Sequence, residues 1–190
     1  MKTRSIMIVG VGGQGSLLAS RIIGNVLLSQ GFDVKVSEVH GMSQRGGSVV
    51  TYVRLGETVY SPLITKGGAD IILAFELLEA ARWLPYLKPG GKLIVNTQKM
   101  DPMPVVIGSA EYPQGLEQAL ADRCADVELM DALSLAVESG TAKAVNVVLI
   151  GAMARHLPFA RGDWQKAIRE IVPEKFRTVN LTAFDKGYGV

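Results

Sequence analysis

The sequence predicts an α/β fold with a mostly parallel sheet, helices on both faces and an inserted β-hairpin. Two observations carry this. Short runs at Ser5–Val9, Asp70–Ala74 and Lys92–Asn96 are compactly apolar rather than alternating, the pattern of strands buried on both faces. Stretches of helical periodicity separate them, and alternation of strand and helix builds parallel sheets.

The elements follow in order. Ser5–Val9 stops at Gly10 and leads into Gly10-Val-Gly-Gly-Gln-Gly15. From Ser16 to Gln30, Leu17, Leu18, Ile22, Ile23, Val26 and Leu27 recur at helical spacing, and Gly31 follows as a C′ residue. Asp33–Val39 reads as a second strand, so the chain opens with a βαβ unit whose strands run parallel. Ser48–Leu55 alternates as a strand, Gly56-Glu57 marks a tight turn, and Thr58–Ser61 returns as the inserted hairpin. Asp70–Ala74 is a strand, Glu76–Leu84 a helix broken between Pro85 and Gly91, and Lys92–Asn96 a strand. The proline-bearing stretch 97–113 predicts two short extended pieces. Pro113–Arg123 is helical, Val127–Met130 a strand and Ala132–Glu138 a helix. Ala144–Arg155 is a helix apolar on most faces, so it should be buried. Asp163–Val172 reads as the last helix, with Asp163 as N-cap. No internal repeat, low-complexity segment or linker divides residues 1–190, which are read as a single Rossmann-like three-layer domain.

Composition narrows the function. With 190 residues the chain can bury a proper core, and 48% hydrophobic with 20% charged residues is a globular balance. A formal charge of +2 without a basic block gives no reason to propose nucleic acid. A single cysteine, Cys124, excludes an internal disulfide framework and a cysteine-ligated iron–sulfur cluster, and suits a reducing compartment. The first apolar run, of about five residues, is too short for a signal-peptide core or a membrane span. The expectation is therefore a cytoplasmic protein with no membrane partner.

Two loops carry the chemistry. Gly10-x-Gly12-x-x-Gly15 lies between a strand and a helix, where glycines allow a tight turn and helix N–H groups face an anion. Glu38, near the end of the second strand, is placed to meet a ribose hydroxyl. The same loop would also serve a turn that only packs the helix on the sheet or approaches another chain. The second loop, Glu38-Val-His-Gly-Met-Ser-Gln-Arg-Gly-Gly47, crowds Glu38, His40, Ser43, Gln44 and Arg45 beside Gly46 and Gly47. A loop that only turned a corner would not need so many hydrogen-bonding groups. Arg45 is a fork donor for carboxylate or phosphate, His40 donates or accepts near neutral pH, and the glycines permit close approach. The bland alternative pairs Arg45 with Glu38 or Glu57 and makes the glycines a bulge. Both loops should open on the same edge of one sheet. Asn146, polar within a nearly apolar helix, needs a partner in a loop or ligand, unless it faces solvent. His156 reads as a helix C-terminal dipole partner and Cys124 as inert. No Ser-His-Asp set, metal cluster or Walker motif in the sequence is convincing.

Gly-Val-Gly-Gly-Gln-Gly at 10–15, Ser-Glu-Val-His-Gly-Met-Ser-Gln-Arg-Gly-Gly-Ser at 37–48, and the 144–151 helix with Asn146 resemble the gamma-type domain of 2-oxoacid:ferredoxin oxidoreductases. The His-Gly-Met-Ser-Gln-Arg-Gly-Gly version is most similar to the small (beta) subunits of indolepyruvate ferredoxin oxidoreductases. The resemblance covers essentially the whole chain. It implies a role in oxidative decarboxylation of a 2-oxoacid on thiamine diphosphate, with electrons leaving through iron–sulfur clusters and coenzyme A accepting the acyl group. It implies a large partner subunit, in a heterotetramer, that holds thiamine diphosphate, Mg and the 4Fe–4S clusters and passes electrons to ferredoxin. On this chain, Gly10, Gly12, Gly13, Gln14 and Gly15 would shape the first loop. Arg45, with Ser43, Gln44, Gly46 and Gly47, would meet anionic groups of coenzyme A or substrate. His40 and Arg45 are the expected catalytic contributors. The alternatives are a stand-alone Rossmann-type NAD(P)-dependent oxidoreductase, resting on Gly10-x-Gly12-x-x-Gly15 and Glu38, and a scaffold that binds only protein.

Overall fold

The computed structural model describes residues 3–39 and 47–190. Its sheet has six strands in the order β2-β3-β1-β4-β5-β6. They are β1 (Arg4–Val11), β2 (Asp33–Val39), β3 (Ser48–Gly56), β4 (Ala69–Ala74), β5 (Leu87–Asn96) and β6 (Val127–Met130). β1, β4, β5 and β6 pair in parallel, while β3 is antiparallel to both β1 and β2. The sheet is thus mixed and mostly parallel, as expected.

The antiparallel element corrects one expectation. Thr58–Ser61 forms no strand, so the hairpin is not Ser48–Leu55 with 58–61. Instead β3 runs between β2 and β1, with Glu38 opposite Thr51 and Val9 opposite Val50. Both edges of β3 are therefore used, and no edge remains for a returning strand. The 58–61 segment is tied instead to the start of β2, where the Asp33 carboxylate accepts a hydrogen bond from Val59 N at 2.7 Å. β1 and β2 still run the same way, but β3 separates them.

Alternate residues of the central strands face opposite layers. Ile6 and Ile8 join one core with helices α1 (Ser16–Ser29), α6 (Val145–Ala154), α7 (Arg161–Ile171) and α8 (Arg177–Gly189). Met7 and Val9 join the other with α2 (Leu77–Trp83) and α4 (Leu116–Arg123). This makes three layers, and explains why β1 and β4 read as continuous apolar runs. All ten residues of α6 are buried, because it lies against α1, β5, α5 (Ala132–Glu138) and α8.

Three further expectations are corrected. The 97–113 stretch contains a short helix, α3 (Met103–Val106), rather than extended pieces, with Pro102 as its N-cap and Pro104 in its first turn. Asp163 is not the N-cap of α7. That residue is Ala160, and the Asp163 carboxylate reaches back to Ala160 N at 3.2 Å. Nor is α7 the last helix, for α8 follows and packs extensively on α6. Among the described residues no helix is long and apolar enough to cross a membrane.

Candidate functional site

β1 and β4 are neighbours whose following helices, α1 and α2, pack on opposite faces of the sheet. At such a switch point the carboxyl ends of the strands part and leave a crevice. The glycine loop fills the floor of that crevice. Gly13 has φ +98° and Gly15 φ +84°, values that favour glycine, and Gly15 leads directly into α1. The Gln14 side chain closes the turn: its Oε1 accepts from Val11 N at 2.8 Å, and its Nε2 donates to the Phe75 carbonyl at 3.0 Å. One amide thus bridges the ends of β1 and β4. Gly10 is required below it, since a Cβ there would lie 2.6 Å from Gln14 Oε1 and 3.0 Å from Phe75 Cβ.

Asn146 finds its partner in the same loop. It is 2% exposed, and its Nδ2 donates to the Gly15 carbonyl at 3.1 Å. Its Oδ1 accepts from Val147 N at 2.9 Å. A Cβ on Gly15 would fall 2.6 Å from Asn146 Nδ2, so residues 15 and 146 are fitted to each other. The N-terminus of α1 carries no side-chain cap and no acidic residue in its first turn. It faces a cleft of about 440 Å³ lined by Gly12, Gly13, Gly15, Gln98, Met100 and Lys143, among others. Helix N–H groups at this end, with a lysine in the same lining, offer a place for an anionic group.

The two stems of the second loop, at Val39 and Gly47, lie at the same edge. The descending stem touches the first loop directly, with Gly12 N donating to Gly47 O at 2.9 Å. Glu38, on the ascending stem, accepts from Ser16 Oγ at 3.1 Å and from Thr51 Oγ1 at 3.4 Å. His40, Ser43, Gln44, Arg45 and Gly46 lie outside the described residues. Gly10, Gly12, Gly13, Gln14, Gly15, Glu38, Gly47 and Asn146 are thus brought to one edge of the sheet. His156 is elsewhere: it follows α6 and sits 3.1 Å from Glu128 Oε2, in a cleft lined by Arg4 and Asp70 at the opposite ends of the strands. Cys124 is buried in the α4 layer, beside Leu120.

Sequence reasoning missed two carboxylates at this edge. Glu76 caps α2 and is 1% exposed. It accepts from Glu79 N at 2.8 Å, Met100 N at 3.1 Å and the Tyr112 hydroxyl at 2.6 Å. It thereby pins both ends of the 100–112 segment beside the cleft. Burial, reinforced by this carboxylate, pushes the Tyr112 pKa far above its ordinary 10.0. Glu79 is 3% exposed; the Ser48 hydroxyl, the Trp83 indole at 3.2 Å and Arg82 Nε at 3.0 Å all donate to it. Asn96, fully buried, joins β5 to its neighbours by donating to the Phe75 carbonyl and accepting from Ala132 N. The available signal was Glu76 and Glu79 themselves, two acids three residues apart directly after an apolar strand.

Residues 5–190 match the family described as pyruvate ferredoxin/flavodoxin oxidoreductase. The chain is 44% identical over 195 residues to the indolepyruvate oxidoreductase subunit IorB of Pyrococcus horikoshii, covering 98% of this chain and 95% of that one. It is 43% identical over 192 residues to the subunit of the same name from Thermococcus kodakarensis, with the same coverage. Its fold is similar to that of a pyruvate oxidoreductase subunit from Thermotoga maritima, at a TM-score of 0.76, 19% identity and coverage of 100% and 97%. It is also similar to 2-oxoglutarate:ferredoxin oxidoreductase from Magnetococcus marinus, at a TM-score of 0.73 and 20% identity. There it covers 100% of this chain but 31% of the other.

Proposed function

This chain belongs to the pyruvate ferredoxin/flavodoxin oxidoreductase family, and from that premise we propose that it is the small subunit of an indolepyruvate- or arylpyruvate-oxidising ferredoxin oxidoreductase. Residues 1–190 then act as a single gamma-type domain that completes the active site of a larger subunit in a heterotetramer in the cytoplasm. The observation that carries this is near-full-length identity of 44% and 43% to two indolepyruvate oxidoreductase subunits.

The residues of this chain do not fit the redox cofactors. One cysteine cannot ligate an iron–sulfur cluster, and among the described residues no group of three or more His, Cys, Asp or Glu could hold a metal ion. We therefore assign thiamine diphosphate, Mg and the 4Fe–4S clusters to the large subunit, which would pass electrons to ferredoxin. The contribution of this chain is binding and placement. The Gly12–Gly15 backbone and the open N-terminus of α1 receive an anionic group of coenzyme A or substrate, with Gly10, Gln14 and Asn146 holding the loop in shape. Arg45, with Ser43, Gln44 and Gly46, adds donors, and His40 contacts the reacting centre. Glu38 and Gly47 anchor the stems. The stand-alone NAD(P) enzyme gains no support, because Glu38 is engaged by Ser16 and Thr51 and the matched family is a ferredoxin or flavodoxin one.

Co-expression with a cofactor-bearing large subunit tests the reading. The pair should reduce a viologen dye with indolepyruvate and coenzyme A, and the isolated chain should not. Arg45→Ala should lower kcat/KM by about tenfold or more, as loss of a charge-assisted contact does. Unchanged turnover when this chain is omitted would refute it.

A further inference from the structure

We propose that Glu79 is a positioning residue of this site, acting through Ser48 to fix the descending stem of the second loop; the inference rests on the functional reading above. The geometry is specific. Ser48 is the first residue of β3, directly after Gly47, and it pairs with Val11 at the mouth of the glycine loop. Its hydroxyl donates to Glu79 Oε2, and the Trp83 indole donates to the same oxygen at 3.2 Å. Arg82 Nε takes the other oxygen at 3.0 Å.

A carboxylate this buried is retained only when donors compensate it, and here three of them do. Two belong to α2 itself. The third, Ser48, belongs to another element, so the charge of Glu79 is spent on joining the helix after β4 to the stem of the loop. The Gly12 N–H to Gly47 carbonyl bond at 2.9 Å then carries that constraint into the glycine loop. With Glu38 holding Ser16 and Thr51 across the ascending stem, each stem is tied by a carboxylate to a different neighbour. Glu79 is not part of the lining of the cleft beside α1, so its effect on turnover runs through the position of residues 47 and 48. Removing it should disturb catalysis more than substrate affinity, because groups displaced by a fraction of an ångström lose transition-state contacts first.

Two measurements separate this inference from the functional reading. In the full chain, hydrogen exchange at the Gly12 amide reports the stem whatever the activity. Ser48→Ala and Glu79→Gln should each speed it by about tenfold, the effect of losing a hydrogen bond to a charged group. The Ile72 and Leu73 amides in β4, which open only with global unfolding, are the reference for overall stability, and Gly12 should speed by more than they do. In the reconstituted complex, Ser48→Ala should lower kcat by about tenfold with KM for the 2-oxoacid held, and Ser48→Thr, which keeps the hydroxyl, should recover most of it. Unchanged Gly12 exchange in both variants overturns the proposal. So does faster exchange with undiminished kcat in an active complex. Faster exchange in a complex that turns over no 2-oxoacid leaves the tie in place and overturns the functional reading instead.

Discussion

Glu76 has almost no contact with solvent, yet three donors from three parts of the chain converge on it: Glu79 N, Met100 N and the Tyr112 hydroxyl. Removing the last of these exposes no new surface but leaves the carboxylate with one donor fewer. Tyr112→Phe should therefore cost about 1.5–3 kcal/mol near neutral pH, read from urea unfolding. The cost should shrink in alkali. The folded-state pKa of Tyr112 is raised, so its stabilisation is whole below the ordinary value of 10.0 and declines as pH rises above it, where the unfolded chain ionises first. Wild type should lose stability there faster than the variant, and a gap that stays constant up to about pH 11 would count against the assignment. At this scale the sequence showed which polar residues were candidates but not whom they would meet. Asn146 was marked by its apolar surroundings, and its demand for a partner was legible; that the partner would be the Gly15 carbonyl, 131 residues away, was not. Glu76 and Glu79 passed unnoticed because a buried acid differs from an exposed one only in its neighbours.

Helix α8 shows the same limit for elements. Arg177–Gly189 carries Thr178, Thr182, Gly187 and Gly189, all weak helix formers, and no strong apolar stripe. It forms because it can press against α6. A Cβ at Gly187 would lie 1.9 Å from the Val148 carbonyl oxygen, and one at Gly151 would lie 2.2 Å from the Phe184 carbonyl oxygen. The two glycines let the backbones touch, which no propensity scale anticipates. Gly187→Ala gains helix propensity and should nevertheless destabilise the protein by about 3 kcal/mol or more through overpacking. Thermal unfolding would show it, and an unchanged or raised Tm would mean the helices do not approach so closely. By contrast, Asp33–Val39, Val127–Met130 and Ala132–Glu138 were legible to the residue. The inserted hairpin was half legible. Ser48–Gly56 is a strand, but its partners are β2 and β1 rather than residues 58–61.

Across the whole molecule, β1 and β4 lie inside the sheet, while β2 forms one edge. Exchange should follow that order in the isolated chain. Amides of β1 and β4 should open only with global unfolding, and the outward amides of β2 should exchange orders of magnitude sooner. Mass-spectrometric exchange would test this, and a β2 as protected as β1 would show that the edge is covered. The sequence by itself determined the fold class, the glycine loop and the edge at which the stems of the second loop lie, because apolar runs, helical periodicity and glycines at turns are local signals of burial and backbone freedom. It also determined the family, since the loop motifs lie within continuous segments. Only the tertiary structure decided that β3 separates β1 from β2, that Gln14 and Asn146 hold the glycine loop, and that Glu38 and Glu79 hold the stems of its neighbour. Those contacts join residues far apart in the chain. Buried charges and close backbone approaches gain their energy from surroundings that exist only once the chain has folded.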